Sequence, residues 1–401
     1  MFDPKNNQLI TNDNIIREAI LRGIEPAGIF PNEEGAIRFL KEKPRRIYLG
    51  IDPTGPDIHI GHTIPLLWLK RVWKIGHRPI LVIGDFTARI GDPSGKETAR
   101  KSLTEKEVKE NMKNYLSQVY KVLPKGSFDV EYNSKWLAKM TLEDLVGLSS
   151  HVTVQQMIQR DMFQERLKNE KPIGLNEFLY PLMQGYDSVA MKIDGEVGGN
   201  DQTFNMLVGR DLEKKILNKD KLVFATQLLV DPITGKKMSK SEGGLIAISD
   251  SPVDMFGKTM AVPDSFVWGM FKLCTEKEID YITKRQAEVN KGENPMTFKK
   301  ELAYEFVRMY HGEKEAQKAK NEFERVFSRG QKPEEMPEVE NKGDILQTSM
   351  AAGVTESKAE FKRLIEQKAV KINDEVVEKW EQGTKSGDVV QVGPRKFYKI
   401  K

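Results

Sequence analysis

Short apolar runs alternate with amphipathic stretches over the first 250 positions. Ile47-Tyr48-Leu49-Gly50-Ile51 is an uninterrupted apolar run of strand length, and Ile80-Leu81-Val82-Ile83, closed by Gly84, is a second. Between them Ile64, Leu67, Trp68, Val72 and Ile75 recur at helical spacing, and Gly76 follows the last of them. That pattern predicts a helix stopping at the glycine. Strand, helix and strand within about 35 residues make a βαβ unit, which requires parallel strands. Phe128–Tyr132, Glu196-Val197 and Leu222–Val230 are further strand candidates. The expected class is α/β.

The texture changes near Ser251. Thr275 with Glu278 has the spacing of a capping box, and Asn294-Pro295 that of a cap followed by a helix start. Leu302, Phe306, Val307 and Tyr310 form one stripe with Gly312 beyond it, so helix is expected down to about Phe327. Gly330–Gly343 is rich in Pro and Glu without periodicity and reads as a linker. A helix is then expected over Glu356–Gln367, with strands at Ala369–Ile372, Val389–Val392 and Phe397–Ile400. The expected division is 1–250, 251–329, a linker at 330–343, and 344–401.

Composition narrows the class. At about 100–200 residues per domain, 401 residues suit two or three domains. With 39% hydrophobic residues the chain can build cores, and no apolar run approaches the ~20 residues of a membrane span. Met1-Phe2-Asp3-Pro4 does not open like a secretory signal. A cytoplasmic protein with no membrane partner is expected. The single cysteine, Cys274, excludes an internal disulfide and a cysteine zinc cage. The net charge of +4 does not by itself point to nucleic acid.

Two segments carry candidate chemistry. His59-Ile60-Gly61-His62 places two of the five histidines just before the predicted helix. Imidazole donors at a helix N-terminus can hold phosphate oxygens, and Gly61 lets a flat ring approach the backbone. A metal site would need a third ligand that is not nearby, and an ordinary helix cap is the bland alternative. Downstream, Thr234-Gly235-Lys236-Lys237-Met238-Ser239-Lys240-Ser241-Glu242-Gly243-Gly244 is a lysine-rich loop between glycines. Ammonium groups on such a loop suit a polyphosphate, although a lone Lys-rich loop is more often merely solvated. No G-x-x-x-x-G-K-[ST] loop occurs, which disfavours a P-loop nucleotidase.

Taken together, His59-Ile60-Gly61-His62 and Lys237-Met238-Ser239-Lys240-Ser241 resemble the two signatures of the class I aminoacyl-tRNA synthetases. Tyr48 through Thr54, Gly91 through Lys96, Tyr180 through Asp187 and Gly198 through Gln202 narrow the resemblance to the bacterial tyrosyl-tRNA synthetase family. The resemblance spans essentially the whole chain. It implies a Rossmann-like parallel sheet, a helical anticodon-region domain and a small α+β tail resembling the S4-type RNA-binding domain. It also implies a homodimer interface inserted within about 110–190.

The resemblance further implies residue roles. Tyr48 and Asp187 would hold the phenol hydroxyl of L-tyrosine. Asp92, Tyr180 and Gln184 would bind its ammonium group, with Asn133 and Gln202 as neighbours. Gly50, Asp52, Gly61, Gly199 and Asp201 would line the nucleotide site. Thr54, His59, His62, Lys237 and Lys240 would stabilise departing pyrophosphate, with Lys96 and Arg100 on a loop closing over it. ATP would be a substrate, Mg²⁺ would arrive with it, and no organic cofactor or dedicated metal cage is expected. In the tail, Lys358, Lys362, Arg363, Lys368 and Lys371 would meet tRNA phosphates; on charge alone a solvated helix is the commoner outcome, and the resemblance tips the balance. A tryptophanyl relative, another adenylyl-transferring enzyme and a non-catalytic RNA-binding scaffold are the alternatives. Tyr48 with Asp187, the lysine loop and the intact motifs argue against them in turn.

Overall fold

The computed structural model describes residues 8–94, 103–233, 235, 245–328, 336–355, 357–393 and 396–401. The chain divides into two compact units, Met1–Ala316 and Gln317–Lys401.

The first unit is built on six strands: β1 (Ile24–Phe30), β2 (Arg46–Ile51), β3 (Arg78–Ile83), β4 (Asp129–Tyr132), β5 (Gly195–Gly199) and β6 (Leu222–Thr226). Their order is β1-β6-β5-β2-β3-β4. Strands β2 to β6 pair in parallel, as the βαβ reading requires. The wholly parallel sheet is corrected at one edge, where β1 runs antiparallel to β6. The expected strand to Val230 ends at Thr226, because the next residue leaves the ladder and the Gln227 N–H donates to the Gly23 carbonyl. Every residue of β6 is buried, as befits a sheet covered on both faces.

The helix Thr63–Lys74 covers one face. Its apolar stripe is buried, and Trp68 lies with its ring 4.5 Å from Phe224 and its Nε1–H on the Ile20 carbonyl at 2.9 Å. Burying a side chain such as Leu66 or Leu69 contributes about 1.5–3 kcal/mol. This packing holds the N-terminus of the helix against the ends of the central strands.

The helical segment after Ser251 belongs to the first unit as far as Ala316. The Asn294 side chain caps Pro295–His311, accepting from the Met296 N–H at 3.0 Å. Leu302, Phe306, Val307 and Tyr310 are all buried. The capping box at Thr275 and Glu278 is not formed. Thr275 closes the preceding helix Val267–Cys274, its fully buried hydroxyl donating back to the Phe271 carbonyl at 2.6 Å. Its oxygen accepts from the Lys277 N–H at 3.2 Å rather than from Glu278, and the following helix starts only after Glu278.

The second unit holds β7 (Glu338–Val339), β8 (Val370–Ile372), β9 (Glu375–Val376), β10 (Val389–Val392) and β11 (Lys396–Ile400), ordered β7-β11-β10-β8-β9. Helices Ile345–Ala351 and Lys358–Glu366 supply Ile345, Leu346, Phe361 and Ile365 to its core. The linker reading is corrected at its far end, where β7 pairs in parallel with β11. A two-residue strand leaves no periodicity to read. Among the described residues no helix is long and apolar enough to cross a membrane.

Candidate active site

The strand order reverses between β5 and β2, and open α/β sheets bind ligands beyond the strand ends at such a point. A cavity of about 670 Å³ opens there, walled by Leu49–Asp52 at the end of β2 and by Val197–Gly199 of β5. Its lining includes Gly50, Asp52, Thr54, His59, Gly61, His62, Asp92, Asn133, Tyr180, Gln184, Asp187, Gly199, Asp201 and Gln202. Residues from six separate stretches of sequence are thus brought to one place. Tyr48 is the exception among the described candidates for the tyrosine and nucleotide sites: it is fully buried and not part of the cavity wall. Lys96, Arg100, Lys237 and Lys240 lie outside the described residues.

At one end the two histidines stack, ring centroids 3.7 Å apart. His59 precedes a short 3-10 turn, Ile60–His62, that leads into the helix Thr63–Lys74. His59 Nδ1 accepts from the Gly61 N–H at 3.1 Å, so a neutral ring carries its proton on Nε2. A Cβ on Gly61 would stand 3.0 Å from the His59 ring, which explains the glycine between the histidines. Ile58 and Ile60 exchange backbone hydrogen bonds with Ile248 and Ile246, and His59 lies opposite Ala247. The chain that follows the lysine loop is therefore knitted to the histidine motif, and Leu245 lines the cavity.

A polar network forms the floor. Asp52 accepts from the Thr87 hydroxyl at 2.7 Å and from the Tyr180 hydroxyl at 2.8 Å. Burial and the neighbouring Asp52 carboxylate push the Tyr180 phenol well above its ordinary range, so it stays a donor. Asp92 accepts from the Ser94 N–H at 2.9 Å and from Gln202 Nε2 at 2.6 Å. The Asn205 amide donates to Gln202 and Gln184, at 3.1 and 3.0 Å. Gln184 in turn donates to Glu196 at 3.0 Å.

Asp187 closes the opposite end. Trp136 Nε1 donates to it at 2.7 Å and Asn133 Nδ2 at 3.3 Å. Those donors favour the charged form, but burial outweighs them and pushes the carboxyl well above the usual carboxylate range. Tyr48 stands behind this wall among Ile80, Val82, Met191 and Ile193. Its hydroxyl is 3.2 Å from Ser188 Oγ and 3.4 Å from the Gln184 carbonyl.

Sequence reading missed Trp136, Thr87, Ser188, Glu196, Asn205 and Lys221. Only Glu196 and Lys221 carried a visible signal, as lone charges at strands that are otherwise buried. In the second unit Lys358, Lys362, Arg363 and Lys368 are exposed and Lys371 is half-buried. The Lys362 ammonium lies 4.1 Å from the centroid of the Trp380 ring.

Residues 40–328 match the model of a family described as tRNA synthetases class I (W and Y). The chain is 41% identical over 384 residues to tyrosine–tRNA ligase 2 of Vibrio cholerae, covering 95% of this chain and 97% of the relative. It is 40% identical to the tyrosine–tRNA ligase of Haemophilus influenzae, covering 98% of each. A C-terminally truncated mitochondrial tyrosyl-tRNA synthetase of Coccidioides posadasii is similar in structure, with a TM-score of 0.62 and 25% identity, over 77% of this chain and 90% of that one. A tyrosyl-tRNA synthetase of Archaeoglobus fulgidus, solved with L-tyrosine, shares the fold at a TM-score of 0.61 and 18% identity.

Proposed function

The chain belongs to the class I tRNA synthetases, among the tyrosine–tRNA ligases, and from that premise we propose how its cavity carries out the reaction. The tyrosine carboxylate attacks the α-phosphorus of ATP in line, and pyrophosphate leaves. The terminal adenosine hydroxyl of tRNA(Tyr) then attacks the tyrosyl-adenylate and releases AMP. No covalent enzyme intermediate is required, so positioning and charge stabilisation carry the catalysis.

Tyrosine lies with its ring toward Asp187 and its ammonium group toward Asp92, Tyr180 and Gln184. Asn133 steadies Asp187, and Gln202 steadies Asp92. Tyr48 stands behind, its hydroxyl oriented by Ser188, as the partner of Asp187 at the phenol. A phenylalanine offers no hydroxyl to pair with this end of the site, which is the physical basis of discrimination. Asp52 and Asp201 accept from the ribose hydroxyls, while Gly50, Gly61 and Gly199 let the nucleotide approach the backbone. Thr54, His59 and His62 meet the phosphates, joined by Lys237, Lys240, Lys96 and Arg100. Mg²⁺ arrives as part of the nucleotide substrate.

The tail is read as an S4-type module meeting tRNA phosphates with Lys358, Lys362, Arg363, Lys368 and Lys371. Within 110–190, Leu142, Val146, Val154 and Leu175 are 77%, 61%, 69% and 79% exposed, which supports a homodimer contact there. A cytoplasmic setting follows from the role in protein synthesis.

The observation that carries this reading is the cavity that gathers the carboxylates, the two histidines and the segment after the lysine loop. ATP–pyrophosphate exchange with each of the twenty amino acids tests it. Exchange driven by tyrosine alone is expected; exchange with tryptophan, or with none, would falsify it.

A further inference from the structure

Lys221 immediately precedes β6, and its side chain is 0% exposed. Its ammonium has three donors and three acceptors: a Glu196 carboxylate oxygen, Ser188 Oγ at 2.6 Å and the Met206 carbonyl at 3.3 Å. Room for it comes from Gly209, where a Cβ would stand 2.7 Å from the Lys221 nitrogen and 3.0 Å from Ser188 Oγ. Replacing buried ion pairs by apolar residues often costs no stability, so folding alone is a weak reason for this one.

The two side chains that Lys221 grips lead to the two ends of the proposed tyrosine site. Ser188 is 3.2 Å from the Tyr48 hydroxyl. Glu196 accepts from Gln184 Nε2, which turns the other face of that amide to Asn205, and the chain of bonds continues through Gln202 to Asp92. We propose that Lys221 is a positioning residue for amino-acid recognition, setting the phenol end through Ser188 and the ammonium end through Glu196. This rests on reading the cavity as the tyrosine site. Lys221 touches no substrate; it fixes the direction in which the recognising groups present their donors and acceptors.

The test uses the full chain, unmodified and as Lys221→Met and Lys221→Met/Glu196→Gln. The double variant removes the carboxylate that the single one strands, so it carries the test if the single variant fails to fold. ATP–pyrophosphate exchange is measured against tyrosine, phenylalanine and ATP concentration. In the folded variants the KM for tyrosine should rise roughly tenfold or more, and the preference for tyrosine over phenylalanine should narrow by a similar factor. The KM for ATP should stay within about twofold, since positioning at the amino-acid end leaves the nucleotide contacts in place. A folded variant with unaltered tyrosine KM and unaltered preference overturns the proposal. An equal rise in both KM values also overturns it, because that is general loosening. No tyrosine-driven exchange in the unmodified chain would remove the tyrosine reading, and the proposal with it.

Discussion

The two units handle polar groups in opposite ways. Inside the first, Asp92, Asn133, Asp187, Glu196, Asn205 and Lys221 are buried around the cavity. Inside the second, the buried polar residues among those described are Thr348, Ser349, Thr355 and Thr384, and none is charged. Burying charge is costly unless it is paired, and around this cavity each of these side chains has a hydrogen-bond partner. The first unit must surround a small polar molecule. The tail, with 12 Lys and Arg against 9 Asp and Glu over residues 341–401, shows its charge to solvent and keeps its interior apolar. That arrangement suits a partner whose phosphates are met from outside. On the proposed function, the difference is between recognition by enclosure and recognition by surface.

The sharpest way to separate the units is to damage the apolar interior alone. Phe361 is 0% exposed at the centre of the tail's core. Phe361→Ala should cost about 3–5 kcal/mol, a large share of a small unit's stability. Hydrogen exchange should show lost protection in β8, β10 and β11 with β2 and β3 unchanged. Tyrosine-dependent pyrophosphate exchange should persist while tRNA charging falls. Parallel loss of both activities would mean that the division is wrong.

Acid should separate them next. All five histidines lie in the first unit. Burial, with Arg45 adding to it, lowers His77 from 6.5 to about 4, and its Nδ1 accepts from the Arg45 N–H at 3.2 Å. Between pH 6.5 and 4 the unfolded chain binds this proton and the folded chain does not, so His77's contribution to stability falls as pH falls. The full shift corresponds to about 3 kcal/mol. His77→Asn retains an acceptor for Arg45 and removes the titration. The unmodified chain should therefore lose stability relative to that variant across this window, read from hydrogen exchange of β2 and β3. The same comparison on tail amides should be flat. A constant difference in β2 and β3 would show that His77 titrates normally.

Much of the parallel sheet was legible because β2, β3 and β6 are buried on both faces and read as unbroken apolar runs. The candidate site was legible because its motifs are short and contiguous. What escaped lacked that continuity. β1 contains Pro26 and Gly28 and is interrupted by exposed positions, so its antiparallel pairing leaves little pattern. Thr275 had a cap's spacing but a core residue's burial. Lys221 and Glu196 are 25 residues apart and meet only because β5 and β6 are neighbours. Tyr48 sat in the right motif, yet its hydroxyl is turned to Ser188, which no motif reports.

Glycine offers the finest contrast between the units. In the tail, Gly353, Gly387 and Gly393 have φ of 66°, 91° and 64° with nothing within 4 Å of a built Cβ, so they supply backbone conformation. Gly84, at the end of β3, supplies room: a Cβ there would fall 1.9 Å from Asp52 Oδ1 and 2.4 Å from the Thr87 hydroxyl. Gly84→Ala must therefore push Asp52 aside and break its bond from Thr87. If Asp52 holds the ribose, kcat/KM for ATP should fall about 100-fold, about 2.7 kcal/mol. Binding of tRNA to the same variant should be unchanged in a filter assay, because the displaced carboxylate belongs to the enclosed site. An unchanged kcat/KM for ATP would take Asp52 out of the nucleotide contacts. Loss of tRNA binding would show instead that enclosure and surface recognition are coupled.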